Sequence, residues 1–380
     1  MSNPVLTAAL LLEANGAALN NAGNDEGQRL DNAVVVKKIK VGRAEYPYIS
    51  GQAMRRWWRE VLYSDFGWQP SPVTREAKSA YTEGDPINYP DDDMFGYMAA
   101  KKVKKAARRV KKEEAAGEES LLTGAEDSGA DADTEISEAG GGGTQRRISP
   151  LKNSLLVSVL PNTVTTDFGH FSRDLPVDNP NMVPFEHEHY TALMQGVFTL
   201  NLQDVGCFEC GLMRDLALDT PVPESVQVLR EAESNLHPRV LGLSLDVRKQ
   251  RISETIQALA RLRYGANLTR NLSDVAPVVL LLGFLDGGNA PFQNLFMPDG
   301  AGGVKLNLDR LKSVVKDYKD RLLDDKRLFF GYRPGVLANE AEVLTALRAG
   351  IEGITVFAGT PGEAIQQVAA LVKSDKVLGG

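Results

Sequence analysis

PVLTAALLLE, residues 4–13, does most to decide the fold, because apolar side chains fill almost every position. The run is followed by a loop rich in asparagine and glycine at residues 15–30, and together they indicate a buried β-strand. A second apolar run, VVLLLGF at residues 278–284, predicts another buried strand far along the chain. With 380 residues the chain is long enough for a large core, in one elaborated domain or in two.

Between these runs, the pattern alternates between helix and strand. Ser50 is a favourable N-cap, and apolar residues recur after it at helical spacing, so residues 51–63 are predicted to form a helix. The core positions of that helix are Met54, Trp57 or Trp58, Val61 and Leu62. Strands are predicted at 148–161 and 187–202, and a helix at 246–263. The order strand, helix, strand, strand, helix, strand is the ferredoxin-like plan that RNA-recognition folds share.

Shorter elements are predicted outside this plan. VVVKKIK, residues 34–40, favours a short strand with a basic exposed end. A polar connection at 161–186 joins two of the strands, and a connection of this length is usually functional. Beyond residue 300 the pattern predicts helix 307–323, strand 327–332, helix 338–349, strand 353–357 and helix 360–373.

The charge is acidic overall but unevenly placed. The net charge of −7 argues against nucleic-acid binding through bulk charge. Residues 101–145 hold a run of eight basic residues followed by ten acids, and this composition predicts disorder. Without that segment, 35 basic and 40 acidic residues remain, so any anionic partner must meet a local basic face.

Two cysteines, Cys207 and Cys210, exclude a disulfide framework and favour a reducing compartment, for which the cytoplasm is the expectation. The N-terminus lacks the basic region of a signal peptide. The longest apolar run, at 275–284, is too short to span a bilayer, so no membrane association is expected.

The stretch EYPYISGQAMRRWWRE, residues 45–60, combines three arginines with two tryptophans. Arg55 and Arg59 lie four apart on one helical face, where their charges repel unless an anion lies between them. The turn at 50–52 also offers backbone N–H groups to a phosphate. The alternative is an ordinary solvated face with extended arginine side chains.

Three other motifs have both a chemical and a structural interpretation. LDGGNAPF, residues 285–292, is either a close approach to a sugar-phosphate chain or an ordinary turn, and it lacks the lysine of an NTP site. His187 and His189 lie on one strand face as a zinc site would need, but no third ligand is evident. Cys207 and Cys210 form a single CxxC without a second pair, which favours a structural role.

Several of these motifs occur together in one family. They are Asn20-Asn21 with GNDEG (23–27), ISGQAMRRWWR (49–59), DDDMFGYM (91–98), RRISPLKNSLLVS (146–158), VPFEHEHYTALMQGVFTLNL (183–202) and GGNAPF (287–292). In these motifs and their order the chain resembles the DevR-type family of CRISPR-associated autoregulators, the repeated backbone subunit of type I, I-B-like, Cascade complexes. The C-terminal third resembles the family more weakly.

The resemblance implies an α+β fold shaped like a hand, with an RNA-recognition or ferredoxin-like palm. The implied parts are a palm at 1–64, 151–160 and 187–300, a fingers insertion at 65–150, a thumb at 161–186 and a C-terminal α/β extension at 301–380. The charged segment 101–145 is longer than expected for the fingers.

The resemblance also implies a non-catalytic role in which copies of the protein line up along one crRNA. The crRNA, target DNA paired to it, further copies in a helical filament and other Cascade subunits are the implied partners, and no cofactor is implied. Sequence recognition would then rest on base pairing.

The RNA-binding residues predicted on this basis are Asn20, Asn21, Lys37, Lys38, Lys40, Ser50, Gln52, Arg55, Arg56, Arg59, Arg146, Arg147, Lys152, Gly287, Gly288 and Asn289. Phe168, Phe171 and Met182 are the thumb candidates. Arg55 and Arg59 are expected to face solvent in the free protein.

Other functions remain open at this stage. A type III-like subunit would cleave target RNA with a loop aspartate, for which Asp25 and Asp31 are the candidates. A stand-alone autoregulator would bind DNA instead. A metal or thiol enzyme built on His187, His189, Cys207 and Cys210 is a third class.

Overall fold

The structure, a computed structural model, describes residues 2–21, 33–76, 79–100, 144–162, 164–171, 183–234 and 236–378. These ranges have mixed α and β structure, which confirms the predicted α+β class. The strands are β1 Pro4–Ala17, β2 Ala33–Val34, β3 Lys38–Val41, β4 Ala44–Ile49, β5 Val73–Glu76, β6 Ser79–Thr82, β7 Tyr97–Ala100, β8 Thr144–Arg147, β9 Leu151–Asn153, β10 Leu156–Ser158, β11 Thr165–Phe171, β12 Val183–Asn201, β13 Cys207–Glu209, β14 Val226–Arg230, β15 Val240–Leu243, β16 Pro277–Asp286, β17 Phe296–Pro298, β18 Val304–Leu306, β19 Arg327–Tyr332 and β20 Thr355–Gly359. The helices are α1 Gly51–Phe66, α2 Pro90–Phe95, α3 Leu245–Ala258, α4 Leu308–Tyr318, α5 Glu340–Ala349, α6 Pro361–Lys373 and α7 Asp375–Leu378.

A large sheet organises the molecule, with the order β20-β19-β16-β1-β12-β10-β4-β3. Its centre is β1, which pairs antiparallel with β12 on one side and β16 on the other. β1 therefore has hydrogen-bonded neighbours on both edges, and its alternate side chains pack into a core on each face, which explains why its sequence is apolar on both faces. The buried strands predicted at 4–13 and 278–284 are confirmed and are direct neighbours.

Helices cover both faces of this sheet. Leu6, Leu10 and Leu12 of β1 point to one face and join a core with α1, α3 and α6. Ala9 and Leu11 point to the other face and pack with α4 and α5. Each fully buried leucine contributes about 1.5–3 kcal/mol through removal of its apolar surface from water. Because successive side chains of β1 point to opposite faces of the sheet, β1 contributes residues to two separate cores.

The α1 helix begins at Gly51 as predicted and ends at Phe66, three residues beyond the predicted end. The Ser50 side chain accepts a hydrogen bond from the Ala53 amide at 3.2 Å, which caps the first turn. Gly67 ends the helix in the left-handed region, with φ of 71°. The helical spacing left open whether Trp57 or Trp58 is a core residue. The structure shows that both are buried.

Some predicted strands differ from the structure. The strand predicted at 148–161 is two short strands, β9 and β10, and both pair with β12. The strand predicted at 34–40 is instead β3, which begins at Lys38, preceded by the two-residue β2. β4, α2 and the hairpins β5–β6 and β7–β8 were not predicted. These segments are short and contain few apolar residues, so their sequences do not show a helical or strand periodicity of hydrophobic positions.

The C-terminal elements agree closely with prediction. β19 spans the predicted residues 327–332 and pairs with β16, which ties this region to the central sheet. β20 pairs parallel with β19. α6 begins with a complete capping box, in which Thr360 and Glu363 satisfy each other's backbone amides. Local capping signals of this kind explain why the helices of this region could be predicted accurately from the sequence.

The charged segment predicted as disordered lies, at residues 101–143, outside the described residues. Its predicted end at residue 145 is wrong, because Thr144 and Gln145 belong to β8 and Gln145 is buried. In the β7–β8 hairpin, Ala100 pairs directly with Thr144. The chain therefore leaves and re-enters the fold at one point.

We expect that replacing residues 101–143 with a four-residue Gly-Ser linker leaves the fold intact, because a short loop can join paired strand ends. The melting temperature should change by no more than about 4 °C, which corresponds to roughly 3 kcal/mol in a chain this large. Circular dichroism on heating measures it. Loss of soluble expression would contradict this expectation, and removing Thr144 and Gln145 as well should be clearly more damaging.

Candidate nucleic-acid interface

The N-terminus of α1 opens into a cleft of about 740 Å³, which we call the α1 cleft. It is lined by Leu19, Asn20, Asn21, Ser50, Gln52, Ala53, Arg56, Trp57, Glu60, Tyr264, Gly265 and Ala266. The structure thus brings together five predicted site residues from separate parts of the sequence: Asn20, Asn21, Ser50, Gln52 and Arg56. The first turn of α1 has no acidic side chain, so the positive end of the helix dipole faces this cleft without compensation.

The segment that follows β1 forms one wall of the α1 cleft. The Lys37 amide donates to the Asn20 carbonyl at 3.2 Å, and the Ala266 amide donates to the Leu19 carbonyl at 3.3 Å. Asn21 forms a backbone bridge with Val36. The backbone at residues 19–21 is therefore fixed from two sides.

Arg56 is the guanidinium of the RRWWR motif that remains at the surface. Its side chain is 79% exposed, and its Nε lies 3.7 Å from Glu60 one turn later. An exposed pair of this kind is weak and easily exchanged for another anion. Arg56 is thus well placed for a phosphate that enters the α1 cleft.

Arg55, by contrast, has an internal role, and the prediction that it faces solvent is wrong. Its guanidinium donates to the carbonyls of Leu151 and Phe95, both at 2.6 Å, and to the Ser149 hydroxyl at 2.9 Å. Burial, with a smaller contribution from the Arg59 charge, lowers the Arg55 pKa to about 10. Arg55 ties α1 to α2 and to the segment that leads into β9.

The prediction for Arg59 is wrong for the same reason. Its guanidinium stacks on the Phe95 ring, 4.2 Å from the centroid. Arg55 approaches the same ring at 5.2 Å. Burial lowers the pKa of Arg59, against the opposing effect of Tyr63, Asp91 and Asp92. Both guanidinium groups therefore contact one buried aromatic ring.

Arg147 was predicted to extend a basic surface, and the structure places it in the interior instead. It forms ion pairs with Asp93 and, at 3.1 Å, with Asp215. Its remaining donors reach the carbonyls of Asp93, Asp204 and Cys207 at 2.9, 2.8 and 3.0 Å. All of its hydrogen-bonding capacity serves the fold.

The other predicted basic residues lie nearer to the surface. Lys40, whose side chain is 74% exposed, lies 3.6 Å from Glu45. Lys38 is mostly covered and pairs with Glu188 at 3.3 Å. Lys37 is half-buried, whereas Arg146 and Lys152 are exposed. Lys40, Arg146 and Lys152 are therefore available to an anion, and Lys38 is already neutralised.

The glycine loop at 287–289 lies apart from the α1 cleft. The Gly287 amide donates to the Asn3 carbonyl at 2.8 Å, at the start of β1, whereas Asn20 follows the end of that strand. The two ends of β1 are about 40 Å apart along a strand of this length.

Arg321, which sequence analysis missed, contacts the glycine loop and donates to the side-chain oxygen of Asn289 at 2.8 Å. A Cβ at Gly287 would displace this guanidinium, and the φ of +101° there favours glycine. Gly288 has open space around it.

The predicted thumb contains a hairpin of β11 and the first part of β12, with Thr165 opposite His189 and Phe171 opposite Val183. Phe168 on β11 is 54% exposed. Phe171 is in β11, and Met182 lies outside the described residues, as do Asp25 and Asp31 of the cleavage hypothesis.

His187 contacts an arginine that sequence analysis did not foresee. Its Nε2 lies 2.6 Å from a guanidinium nitrogen of Arg270. Burial and the charge of Arg270 lower the His187 pKa, which favours a neutral imidazole that accepts this hydrogen bond. Within the described ranges, no group of three His, Cys, Asp or Glu side chains is placed to hold a metal ion.

The two cysteines are reduced and covered: Cys210 is buried and Cys207 half-buried. Burial raises the pKa of both thiols, which disfavours the reactive thiolate. Cys210 packs with Phe208 and Leu241 in a small core around β13, β14 and β15. This environment suits a structural role.

The largest feature that sequence analysis missed is the burial of the DDD motif in α2. Asp91, Asp92 and Asp93 are all buried. Asp92 accepts from the Ser71 hydroxyl at 2.8 Å, and burial raises its pKa. Asp93 pairs with Arg251 at 2.6 Å as well as with Arg147. Three successive acids look like a solvated turn, and their partners lie too far away in sequence to be inferred.

No helix within the described ranges is long and apolar enough to cross a membrane.

The sequence and the fold were each compared with those of known proteins. No curated protein sequence matches this chain. Among solved structures, a chain of a "CRISPR RNA-guided surveillance complex, pre-nicking" superposes with a TM-score of 0.50 at 10% identity, over 97% of this chain and 100% of the other. A chain of a "CRISPR RNA-guided surveillance complex" gives a TM-score of 0.49 at 10% identity, over 97% and 99%. At this identity the first likeness concerns the fold alone.

The sequence itself matches a family model, described as the CRISPR-associated negative auto-regulator DevR/Csa2, over residues 9–296. The match covers most of the chain, and every motif on which the resemblance rested lies within the matched residues. The chain belongs to the CRISPR-associated DevR/Csa2 family.

Proposed function

We propose that the protein is a non-catalytic, crRNA-binding backbone subunit of a type I CRISPR Cascade complex. Copies of it would lie along one guide RNA in a helical filament and present the guide for pairing with target DNA. The observation that carries this proposal is the α1 cleft, where Asn20, Asn21, Ser50, Gln52 and Arg56 converge although the sequence separates them.

The fold supports this proposal through the connectivity of its central part. β1, α1, β10, β12, α3 and β16 follow one another in the order of the ferredoxin-like plan, with inserted segments between them. In the sheet the four strands lie in the order β16-β1-β12-β10. RNA-recognition domains use this plan. We therefore assign these elements to the palm and the β11–β12 hairpin to the thumb.

The charge distribution supports a contact with the backbone of RNA instead of with its bases. Exposed cations are few in the predicted site, and Arg56, Lys40, Arg146 and Lys152 are the ones that stay accessible. Contacts between cations and phosphates hold a strand without reading its sequence. A subunit that holds a guide of any sequence needs this kind of contact, because base pairing supplies the specificity.

Arg56→Ala tests the proposal, since Arg56 is exposed and its loss leaves the core unchanged. We expect weaker binding of single-stranded RNA at every sequence. The slope of log affinity against log salt should fall by about 0.7 for the lost phosphate contact. Fluorescence anisotropy with labelled RNA, titrated at several salt concentrations, measures both quantities.

Arg348→Ala is the matched control, because it removes the same charge from an exposed position in α5, on the opposite face of the sheet. It should leave the salt slope unchanged. Sedimentation should also show more copies bound as the RNA is lengthened. A protein that binds no RNA, or equal slopes for both variants, would contradict the proposed role of this cleft.

A further inference from the structure

Contacts on both faces of β12 hold the base of the β11–β12 hairpin. On one face, Glu188 accepts hydrogen bonds from the Val36 amide at 2.8 Å and from the Lys38 ammonium group at 3.3 Å. On the other face, His187 contacts Arg270: the ring Nε2 lies 2.6 Å from one guanidinium nitrogen, and Nδ1 lies 3.3 Å from another. Successive residues of a strand point to opposite faces, so the two contacts fix the strand from opposite sides.

Arg270 belongs to the segment between α3 and β16, which is itself anchored to the central sheet. The Arg270 amide donates to the Asn267 carbonyl at 3.0 Å, and its guanidinium reaches the Asn267 side-chain oxygen at 3.4 Å. The side chain of the next residue, Asn271, donates to the Gly16 carbonyl in β1 at 2.7 Å. The guanidinium also lies 5.9 Å from the centroid of the Phe185 ring. One side chain thus connects the hairpin to a segment fixed on β1.

Two charged groups from neighbouring elements face His187 and act in opposite directions. Arg270 disfavours protonation of the ring, whereas Asp167, directly opposite in β11, favours it. The parallel neighbour β2 contributes only Ala33–Val34, and His189 lies two residues further along the same face of β12. Burial and the charge of Arg270 outweigh Asp167 and lower the pKa of His187 below the ordinary histidine value.

The hydrogen bond between these side chains requires a neutral imidazole. A neutral ring has one nitrogen that accepts an N–H of Arg270, whereas a protonated ring has two donors and no acceptor. Protonation therefore removes the hydrogen bond and places two positive charges side by side. Because the contact lowers the pKa of His187, its stability is complete above the ordinary histidine pKa and is lost as the pH falls below that value.

We infer that His187 and Arg270 form a pH-sensitive latch at the base of the β11–β12 hairpin, which the neutral ring closes and the protonated ring opens. The Glu188 contact on the opposite face involves no histidine, so the hairpin is released on one side only and pivots at β12. Histidine suits this role because its charge changes between about pH 5 and 8. The inference goes beyond the proposed function, since it concerns the free protein and needs no nucleic acid.

The first experiment follows the protonation of His187 itself. The chain has four histidines, so labelling with ¹⁵N-histidine gives few NMR signals, and His187→Gln identifies the signal of interest. We expect this signal to titrate below the ordinary histidine value in the wild type. In Arg270→Ala its midpoint should rise by at least about half a pH unit, because the cation is gone and Asp167 remains. Equal midpoints in the two proteins would overturn the inference.

The second experiment measures where the hairpin lies. Spin labels are attached at Phe168→Cys on β11, where the native side chain is 54% exposed, and at Ala341→Cys on the exposed side of α5, with Cys207 and Cys210 replaced by alanine. Double electron–electron resonance gives the distribution of distances between the labels at about pH 7.5 and about pH 5. We expect about fivefold more molecules with a displaced hairpin at the lower pH, as the loss of one hydrogen bond allows.

Two substitutions at His187 separate the latch from general effects of acid. Glutamine keeps an acceptor for Arg270 and does not titrate, so His187→Gln should show the closed distribution at both pH values. Lysine is charged at both, so His187→Lys should show the displaced hairpin at both. A response to acid that is equal in the wild type and in His187→Gln would mean that other groups move the hairpin, and it would overturn the inference. A wild type with the same distribution at both pH values overturns it as well, and neither result bears on RNA binding.

Discussion

Asp93→Asn is expected to lower the free energy of unfolding by about 3–5 kcal/mol, because it leaves two buried guanidinium groups without their shared counter-charge. Asp93 is fully buried and forms ion pairs with Arg147 and, at 2.6 Å, with Arg251. It also accepts the Gly206 amide at 3.0 Å. Asparagine keeps the shape of the side chain, removes its charge and replaces one acceptor oxygen by an NH2 donor, so the loss measures the ion pairs together with one lost hydrogen-bond acceptor. Urea unfolding followed by circular dichroism gives the value without screening charges.

The matched control for this variant is Asp65→Asn. Asp65 also pairs with two arginines, Arg261 and Arg263, but this cluster is near the surface. Ion pairs of that kind contribute about 0–1 kcal/mol, so the control should differ little from the wild type. Equal losses in the two variants would mean that Asp93 is not a clamp between α2, β8 and α3.

Trp58→Ala should be comparably damaging, with a loss of about 3–5 kcal/mol in the free energy of unfolding. The Trp58 side chain is fully buried in the core that β1 shares with α1, α3 and α6. Its ring meets Phe198 of β12 edge to face, with centroids 5.3 Å apart. Its Nε1 donates to the Thr255 carbonyl in α3 at 2.8 Å. One side chain therefore joins α1, α3 and the sheet, and alanine would leave a cavity among all three.

Trp58→Phe separates the two contributions, because it keeps most of the apolar volume and removes the hydrogen-bond donor. We expect a smaller loss, about 1–3 kcal/mol, from the unpaired Thr255 carbonyl and the reduced ring. Both variants are compared with the wild type by urea unfolding. A loss below about 1 kcal/mol for Trp58→Ala would contradict this account of the core.

Much of the fold was predictable because its signals are local. β1 and β16 are runs of apolar residues, and α1 and α6 carry their own N-caps at Ser50 and Thr360. Such signals need only a few neighbouring residues to be read. The short α2 helix has only a proline at its start and three acids in its first turn, without a side-chain N-cap. Its buried acids are held by contacts with distant parts of the chain.

The site was predictable only in part, for the same physical reason. Helical spacing places Arg55 and Arg59 on one face of α1, but it cannot show that Phe95 covers that face. Arg147 likewise finds its acidic partners through the tertiary fold. The contact between His187 and Arg270 likewise became visible only in three dimensions.

β12 has a mechanical consequence, because one continuous strand belongs both to the central sheet and to the β11–β12 hairpin. Residues from Tyr190 onward pair with β1, and residues up to His189 pair with β11. The hairpin part is a stiff arm that extends about 24 Å from Tyr190 to Val183, at about 3.4 Å per residue. A rotation of about 10° at its base would swing its far end by about 4 Å. The position of the tip is thus governed by contacts near the base of the arm, which are the buried Tyr190, Glu188 with Lys38 and His187 with Arg270. A small shift at these contacts is magnified at the far end of the arm.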